Sequence, residues 1–241
     1  MSDVLRAEWT KLRTSPGTAW LLLATVVVTA GMSAAAAATV TGSPADPAKL
    51  SLTGVLFGQA MVAILAVLMI GGEHSTGLIH VTFAAVPRRS LVLAAKALLA
   101  SLLTATAGLL SVTGCLVAGR WLVDLSFDGP VRRAALGSVL YLMLIALMSL
   151  GIAALVRDSA AAIGIVLGLL YILPIVASAL SDPKWERHLQ QIAPMSAGLA
   201  IQATVGLDEL PIGPWAGLGV LGAWAAGAIV LGGLAMAHRD A

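Results

Sequence analysis

The residues that could do chemistry in this chain are few and far apart. There is one cysteine, Cys115, and the closest pair among the four histidines is His74 and His80. A spacing of six residues does not put two side chains on one helical face, so this pair does not predict a metal site. The sequence has neither a nucleophile with a partnered base nor a Gly-x-x-x-x-Gly-Lys-Ser/Thr phosphate loop. It therefore predicts a protein that is not an enzyme and that holds no cofactor.

The amino-acid composition indicates the class of protein to which the chain belongs. Hydrophobic residues make up 59% of the 241 residues and charged residues 11%, whereas a soluble domain is about 25% charged. With a mean hydropathy of +0.96, the chain lacks the polar surface that a water-soluble globule needs. The composition excludes a soluble enzyme, a nucleic-acid binder and a secreted scaffold, and it predicts an integral membrane protein.

Six charge-free apolar intervals are long enough to be transmembrane helices. They are 23 to 32 residues long, and a helix needs about 20 residues to cross the hydrocarbon core. The sequence therefore predicts an all-α fold with six spans, at 18–40, 52–72, 91–118, 134–156, 160–180 and 215–237. Pro174 should kink the fifth span. A seventh interval, between Arg187 and Asp208, is more polar and is not predicted to span.

The predicted spans contain few charged or polar side chains that could drive transport or line a transport pathway. None holds an aspartate or glutamate at mid-depth, and Lys96 is close enough to a span end for its ammonium group to snorkel to the headgroups. Gln59, hydroxyl groups and tryptophan rings are then the available polar lining. Ion-driven carriers usually use ionisable groups inside the membrane, so uphill transport would take its energy from outside the bilayer.

The N-terminal segment 1–14 has the pattern of an amphipathic helix. Leu5, Trp9 and Leu12 follow one another at i, i+4 and i+7, whereas Arg6, Glu8 and Arg13 fall largely elsewhere around the helix. The pattern predicts a helix lying in the membrane interface, and the alternative is a simple basic flank. The three basic residues before the first span place the N-terminus in the cytoplasm by the positive-inside rule. Six spans then return the C-terminus to the same side.

Two connecting segments are longer than turns require. In 71–90, Ile79, Phe83 and Val86 lie on one face of a short predicted helix that Pro87 ends. An apolar face outside the bilayer needs a partner, which is another subunit, the chain's own bundle or the interface. Segment 181–214 predicts two short helices, 183–194 and 195–207, that either dip into the outer leaflet as a hairpin or form a solvated cap.

Small residues recur at the spacing of close helix contacts. Gly164 and Gly168 lie four residues apart in the fifth span, and Gly213 and Gly217 do so at the start of the sixth. Such pairs predict either a dimer face or packing within the chain.

Three stretches together resemble one known family. They are LRAEWTKLRTSP at 5–16, GGEHSTGLIHVTFAAVPRRSLVLAAKA at 71–97 and GPWAGLGVLGAWAAG at 213–227. With the order and lengths of the six spans, they resemble membrane subunits of ATP-binding-cassette transporters of the type-2 exporter permease class, in the actinobacterial style. The resemblance implies a single permease domain over 1–241 in a bacterial plasma membrane. It also implies a second permease copy, as a homodimer or related heterodimer, and a separate cassette ATPase subunit.

The resemblance also implies roles for particular residues. Segment 1–14 would be an elbow helix, and 73–89 would be a coupling segment that binds the ATPase subunit. The implied elbow residues are Leu5, Trp9 and Leu12. The implied coupling residues are Glu73, His74, Ser75, Thr76, Gly77, Ile79, Phe83, Val86, Arg88 and Arg89. Relatives often have an aromatic residue at the position of His74 and a basic one at that of His80.

Other functions fit the same six spans. One is a secondary, ion-coupled carrier, and another is a membrane anchor or assembly protein that transports nothing. For a transporter, the apolar lining is compatible with a drug, a lipid, a peptide or a natural product as substrate.

Overall fold

The computed structural model describes residues 2–40, 42, 44–75, 89–123, 125–179 and 182–238. All regular secondary structure in these ranges is helical. Helix α1 comprises Ser2–Thr14 and α2 Pro16–Thr39; the short α3 (Pro47–Ser51) precedes α4 (Val55–Ser75), α5 (Arg89–Leu122) and α6 (Gly129–Val156). Next come α7 (Ser159–Leu167), a π-helical turn (Gly168–Ile172) and α8 (Leu173–Ser178). The chain ends with α9 (Pro183–Ile192), α10 (Pro194–Leu199), the 3₁₀ turns Ala200–Gln202 and Leu207–Glu209, and α11 (Pro214–His238).

Six of these helical segments are long and apolar enough to cross a membrane. They are α2, α4, α5, α6, the continuous run from α7 to α8, and α11. The six predicted spans are thus confirmed as helices, with ends that differ from the prediction by a few residues. The polar seventh interval forms short helices, as expected.

Helix ends follow the sequence signals that were available locally. Asp128 caps α6 by accepting a hydrogen bond from the Val131 N–H (3.0 Å), and Asp158 caps α7 through the Ala161 N–H (2.7 Å). Between α6 and α7, Arg157 adopts a left-handed conformation with φ of 65°. Such a residue ends a helix sharply, so only two residues, Arg157 and Asp158, separate α6 from α7.

The core lies where α4, α5 and α6 meet. In their most apolar stretches, 61% of α4, 50% of α5 and 56% of α6 is buried within the chain, against 22% for α2, for the fifth span and for α11. The largest fully buried side chains include Tyr141, Ile145 and Met148 of α6. Spans two to four therefore form the centre, and the other three present apolar surface outward.

Small residues let neighbouring helices touch through their backbones. A Cβ atom on Gly232 of α11 would lie 2.6 Å from the Gly151 carbonyl oxygen of α6, and one on Gly217 would lie 2.0 Å from the Ala197 oxygen. The predicted glycine pair in α11 thus serves packing within the chain through Gly217. A Cβ on Gly164 would meet nothing within 4 Å among the described residues, so its surface is open.

The π-helical turn ends at Ile172, two residues before Pro174. Proline has no N–H and therefore leaves the carbonyl four residues earlier, at Leu170, without its helical donor. The fifth span accommodates the proline with a wider turn over Gly168–Ile172. Such turns inside helices are uncommon and often lie at functional positions.

The segment before α11 folds against the bundle. Helix α9 corresponds to the first of the two short helices predicted for this segment. The second is shorter than predicted, because α10 ends at Leu199 and only a 3₁₀ turn continues to Gln202. The carboxylate of Asp46, which precedes α3, accepts bonds from the Thr204 N–H and hydroxyl (both 2.7 Å) and from the Val205 N–H (3.2 Å). This contact fastens together the two loop regions at one end of the molecule.

Exposed tryptophans mark both ends of the helical bundle. Trp9 and Trp20 are 47% and 69% exposed near the start of α2, and at the opposite end Trp121, Trp185 and Trp215 are 84%, 64% and 60% exposed. Tryptophan is enriched at membrane–water interfaces. The two groups therefore indicate where the apolar spans meet the headgroups.

Candidate functional site

Four charged side chains meet where α1 lies against the ends of α4 and α5. The Lys96 ammonium group donates to Glu8 Oε2 (2.6 Å) and Glu73 Oε1 (2.9 Å). The Lys11 ammonium group donates to Glu8 Oε1 (2.7 Å) and to the same Glu73 oxygen (2.8 Å). Each carboxylate thus contacts both cations. We call these residues the charge cluster.

The charge cluster is built by faces of the helices that are otherwise apolar. On α1, Glu8 lies three residues after Leu5 and four before Leu12, and both leucines pack on the core. Lys96 is flanked on α5 by the buried Leu93 and Leu99. Residues three and four apart share a helical face, so both charges point into the bundle.

Burial makes the pairing in the charge cluster strong. Lys96 is 2% exposed, Glu8 3% and Glu73 8%. The third donor of Lys96 bonds to the Met69 carbonyl oxygen (2.9 Å), so all three of its N–H groups have acceptors. Charges taken out of water are tolerated only when they are paired and hydrogen-bonded, and the cluster carries two charges of each sign.

Lys11 stands at the edge of the charge cluster, outside the apolar spans. Partial burial lowers its pKa, but hydrogen bonds to Glu73 and Glu8 and the charges of both carboxylates outweigh that effect, and the pKa of Lys11 is raised overall. Its ammonium form is therefore stabilised by the fold.

One carboxylate oxygen of the charge cluster has no partner among the described residues. Glu73 Oε2 is buried and makes no hydrogen bond to any described residue. The residue lines a cavity of about 280 Å³ between α1, the start of α2 and the end of α4. An acceptor buried without a donor is costly, and this oxygen is enclosed by the protein rather than open to the cavity.

The predicted coupling residues lie only partly within the described chain. Glu73 is in the charge cluster, and Arg89 begins α5 and donates to the Met236 carbonyl oxygen (2.6 Å) near the end of α11. His74 and Ser75 are the last residues of α4. The others lie outside the described residues: Thr76, Gly77, Ile79, Phe83, Val86 and Arg88.

Of the predicted elbow residues, two contact the bundle. Leu5 and Leu12 pack against the core, whereas Trp9 is 47% exposed. The helical conformation expected for 1–14 is present in Ser2–Thr14. Its location in the membrane interface stays a prediction.

Sequence reasoning missed Glu8, Lys11 and Lys96 as site residues. The expectation that Lys96 snorkels to the headgroups is wrong, because its ammonium group is enclosed by Glu8, Glu73 and the Met69 carbonyl. The prediction that Glu8 lies away from the apolar face of α1 is also wrong, because Glu8 is buried with Lys96. Glu8 has helical spacing from both Leu5 and Leu12, and a carboxylate on an apolar face requires a buried cation.

A second polar cluster lies deeper in the bundle and does not line an open path. Gln59 of α4 is fully buried, accepts a hydrogen bond from the Tyr141 hydroxyl of α6 and donates to the Met195 sulfur of α10 (3.1 Å). Tyr171 donates to the Leu56 carbonyl oxygen (2.6 Å). The polar side chain considered as pathway lining is thus used to hold α4, α6 and α10 together.

An apolar groove lies between α6, the fifth span and α11. Its volume is about 980 Å³, and its lining includes Leu155, Leu169, Ile172, Val220 and Leu231. The Trp224 indole N–H on its wall is already bonded to the Ile192 carbonyl oxygen (2.9 Å). The groove therefore offers apolar contact with little hydrogen bonding.

No set of three or more histidine, cysteine, aspartate or glutamate side chains within the described ranges is arranged to hold a metal ion. The charge cluster has two carboxylates, but Lys11 and Lys96 occupy the positions where a cation would bind. No protein-family model matches the chain, and no curated protein matches it.

Proposed function

We propose that the chain is the transmembrane subunit of an ATP-driven exporter whose ATPase is a separate protein. The observation that carries the proposal is the charge cluster, which ties α1 to Glu73 at the end of α4. The chain passes from α4 directly into 73–89, the segment for which the resemblance implies ATPase binding. Such a subunit needs a contact that connects this segment to the helical bundle.

The charge cluster supplies a route by which movement of 73–89 could reach the spans. Glu73 bonds Lys11 of α1 and Lys96 of α5 through one oxygen. A displacement of the end of α4 would therefore pull on both helices, or else break buried ion pairs. Because breaking such a pair costs about 3–5 kcal/mol, the three helices should move together.

The apolar groove is the most suitable surface for cargo within the described bundle. It lies between three spans and has an almost entirely apolar lining. An amphipathic or lipid-like substrate would fit this chemistry, whereas a small ion would not. This agrees with a substrate that is a drug, a lipid, a peptide or a natural product.

A secondary carrier is the second candidate, and the buried charges of the charge cluster are an observation in its favour. Buried ionisable residues in membrane proteins commonly belong to proton or ion relays. In this chain, however, the charges lie at one end of α4 and α5 and neutralise one another. A site that pairs its own charges is better suited to holding helices together than to carrying an ion across.

Reconstitution tests the proposal against this alternative. We would co-express the chain with candidate cassette ATPases, purify the complexes and measure ATP hydrolysis and transport of an amphipathic dye in vesicles. We expect hydrolysis only with the partner, because the chain lacks a phosphate loop, and transport that needs ATP. Transport that is abolished by an ionophore and unaffected by removal of ATP would establish the carrier instead.

The contact with the ATPase is tested by Phe83→Asp. Burying a phenylalanine side chain stabilises a contact by about 1.5–3 kcal/mol, so this change should weaken co-purification by about tenfold or more. The matched control is Phe127→Asp, which places the same charge at a residue that is 57% exposed beyond the other end of α5. Normal co-purification and transport with Phe83→Asp would contradict a coupling role for 73–89.

A further inference from the structure

We infer that the π-helical turn of the fifth span is a hinge that reshapes the apolar groove, and that the hydrogen bond from Tyr171 to Leu56 is its latch. The turn comprises Gly168–Ile172, and the Leu173 N–H donates to the Gly168 carbonyl oxygen five residues earlier. The inference concerns conformations of the chain by itself, so it does not depend on the proposed transport function.

The π-helical turn gives the fifth span two possible registers. A turn closed by hydrogen bonds over five residues holds one residue more than an α-helical turn does. Successive residues of an α-helix are about 100° apart around its axis. Conversion of the turn to α-helix would therefore rotate α8 by about 100° relative to α7. The two arrangements differ in the direction in which the side chains of α8 point.

Both sides of the π-helical turn contribute to the wall of the apolar groove. Ile165 of α7, Leu169 of the turn and Val176 of α8 all line it. After a rotation of about 100° between α7 and α8, Ile165 and Val176 would no longer face the same groove. The groove of about 980 Å³ thus belongs to the arrangement that contains the π-helical turn.

Burial indicates which half of the fifth span can rotate. Ala162 and Val166 of α7 are fully buried in the core, and so is Leu170 in the turn. On α8, in contrast, Ile175 and Val176 are 65% and 50% exposed. A rotation of α7 would remove core contacts, whereas α8 has fewer contacts to lose. Helix α8 is therefore the part that moves.

Tyr171 is the polar side chain of the turn, and it stabilises the arrangement seen in the structure. Its hydroxyl donates to the Leu56 carbonyl oxygen in the first turn of α4 (2.6 Å). Inside a bilayer there is no water to replace this acceptor, so the bond favours the register in which Tyr171 faces α4. The next residue, Ile172, lines the groove. The latch and the groove wall are thus formed by adjacent residues.

The test is a distance between two spin labels, measured by pulsed electron paramagnetic resonance on the purified full-length chain with Cys115→Ala. One label is at Leu109→Cys on α5, and the other is at Ile175→Cys or, in a second sample, at Val176→Cys. All three positions are exposed. With side chains about 5–6 Å from the helix axis, a rotation of about 100° displaces the α8 label by about 8 Å. The two α8 positions point in different directions, so at least one distance must change.

Two substitutions remove what favours the π-helical turn. Tyr171→Phe removes the latch, and we expect it to raise the ratio of the second distance to the first about threefold, which corresponds to about 0.6 kcal/mol. Pro174→Ala supplies the N–H that an α-helical turn needs at the Leu170 carbonyl, and it should raise the ratio about a hundredfold. The double variant should show mainly the second distance.

The matched control is Tyr141→Phe, which removes a buried hydroxyl from the neighbouring hydrogen bond to Gln59 and leaves the latch in place. It should keep the wild-type distances. A double variant that keeps only the wild-type distances would overturn the inference. Pro174→Ala breaks no hydrogen bond, so it gives the same decision if the double variant does not fold. Should Tyr141→Phe shift the distances as far as Tyr171→Phe, the Tyr171 bond is not the latch.

Discussion

Substitution of Lys96 should destabilise the protein, because its ammonium group is buried between two carboxylates. Lys96→Met keeps the length of the side chain but leaves Glu8 and Glu73 buried with Lys11 as the only cluster cation. We expect the free energy of unfolding to fall by about 3–5 kcal/mol, measured by denaturation of the purified chain in detergent. Lys184→Met, at an exposed position of α9, is the control and should have little effect.

A second substitution tests whether this loss comes from unpaired charge. Glu8→Gln in the Lys96→Met background removes one of the two carboxylates and leaves Glu73 with Lys11. The double variant should be more stable than Lys96→Met alone, which is a non-additive effect typical of contacting residues. If the two effects simply add, the stability of this region does not depend on the ion pairs.

Asp46 gives the molecule a defined response to acid. Burial raises the pKa of Asp46, but hydrogen bonds from the Lys49 and Thr204 N–H groups, from the Thr204 hydroxyl and from the Val205 N–H lower it more. Since the folded-state pKa lies below the unfolded value of about 3.9, the stabilisation is present above that value. It is lost as the pH falls through the folded-state pKa.

Asp46→Asn should therefore lower the thermal stability at pH 7, and the difference from the wild type should vanish well below about pH 3.9. The measurement is a thermal unfolding series across pH for both proteins. Asp128→Asn is the matched control, because asparagine caps a helix as well as aspartate does. A difference for Asp46→Asn that stays constant down to the lowest pH would refute the role assigned to its charge.

At the residue scale, local spacing predicted some contacts and could not predict others. Glu8 and Lys96 are 88 residues apart in the chain, and nothing in either local sequence identifies the other as its partner. What the sequence did contain was the position of Glu8 between Leu5 and Leu12 on one helical face. A charge on such a face requires burial with a partner, but the choice among the lysines depends on how α1 meets α5.

Among the elements, the contact between α6 and α11 leaves no room for a side chain. A Cβ on Gly232 would lie 2.6 Å from the Gly151 oxygen and 2.9 Å from the Ala154 Cβ. We expect Gly232→Ala to push the helices apart and to cost about 1–3 kcal/mol, read from chemical denaturation. Gly222→Ala, on the same helix in open space, should be neutral or stabilise by up to about 1 kcal/mol.

Element lengths were the most predictable part of the fold. The thickness of the bilayer sets the length of a membrane helix, so charge-free intervals were sufficient to find α2, α4, α5, α6, the fifth span and α11. The π-helical turn before Pro174 was not predictable from the proline alone, since kinks and wider turns both relieve the same missing hydrogen bond. Likewise the helices of segment 181–214 begin at Pro183 and Pro194, as the sequence predicted, but the early end of α10 depends on packing.

For the whole molecule, the six spans predict that both termini lie on the same side of the membrane. A reporter fused after Ala241 and one inserted within 183–210 should therefore report opposite sides. The three basic residues before the first span predict that the Ala241 fusion is cytoplasmic. Two reporters on the same side would mean that the polar interval after Arg187 crosses the membrane after all.

The arrangement of the spans also bears on assembly. The fifth span, α2 and α11 each bury only 22% of their most apolar stretch within the chain, so most of their surface faces lipid or another subunit. Gly164 has open space around it, as a close contact with a second copy would require. A dimer formed through the fifth span is the assembly that this open surface would permit.

The contact between Asp46 and Thr204 also has a consequence for synthesis of the chain. The two residues are 158 positions apart, and at about 5–20 residues per second a ribosome needs about 8–32 s to pass from one to the other. During that time several helices are synthesised, and the donors Thr204 and Val205 are not yet present to bond the Asp46 carboxylate. The contact can form only once Thr204 has been synthesised, so a translation product that stops short of Thr204 lacks the three hydrogen bonds that Thr204 and Val205 donate to Asp46.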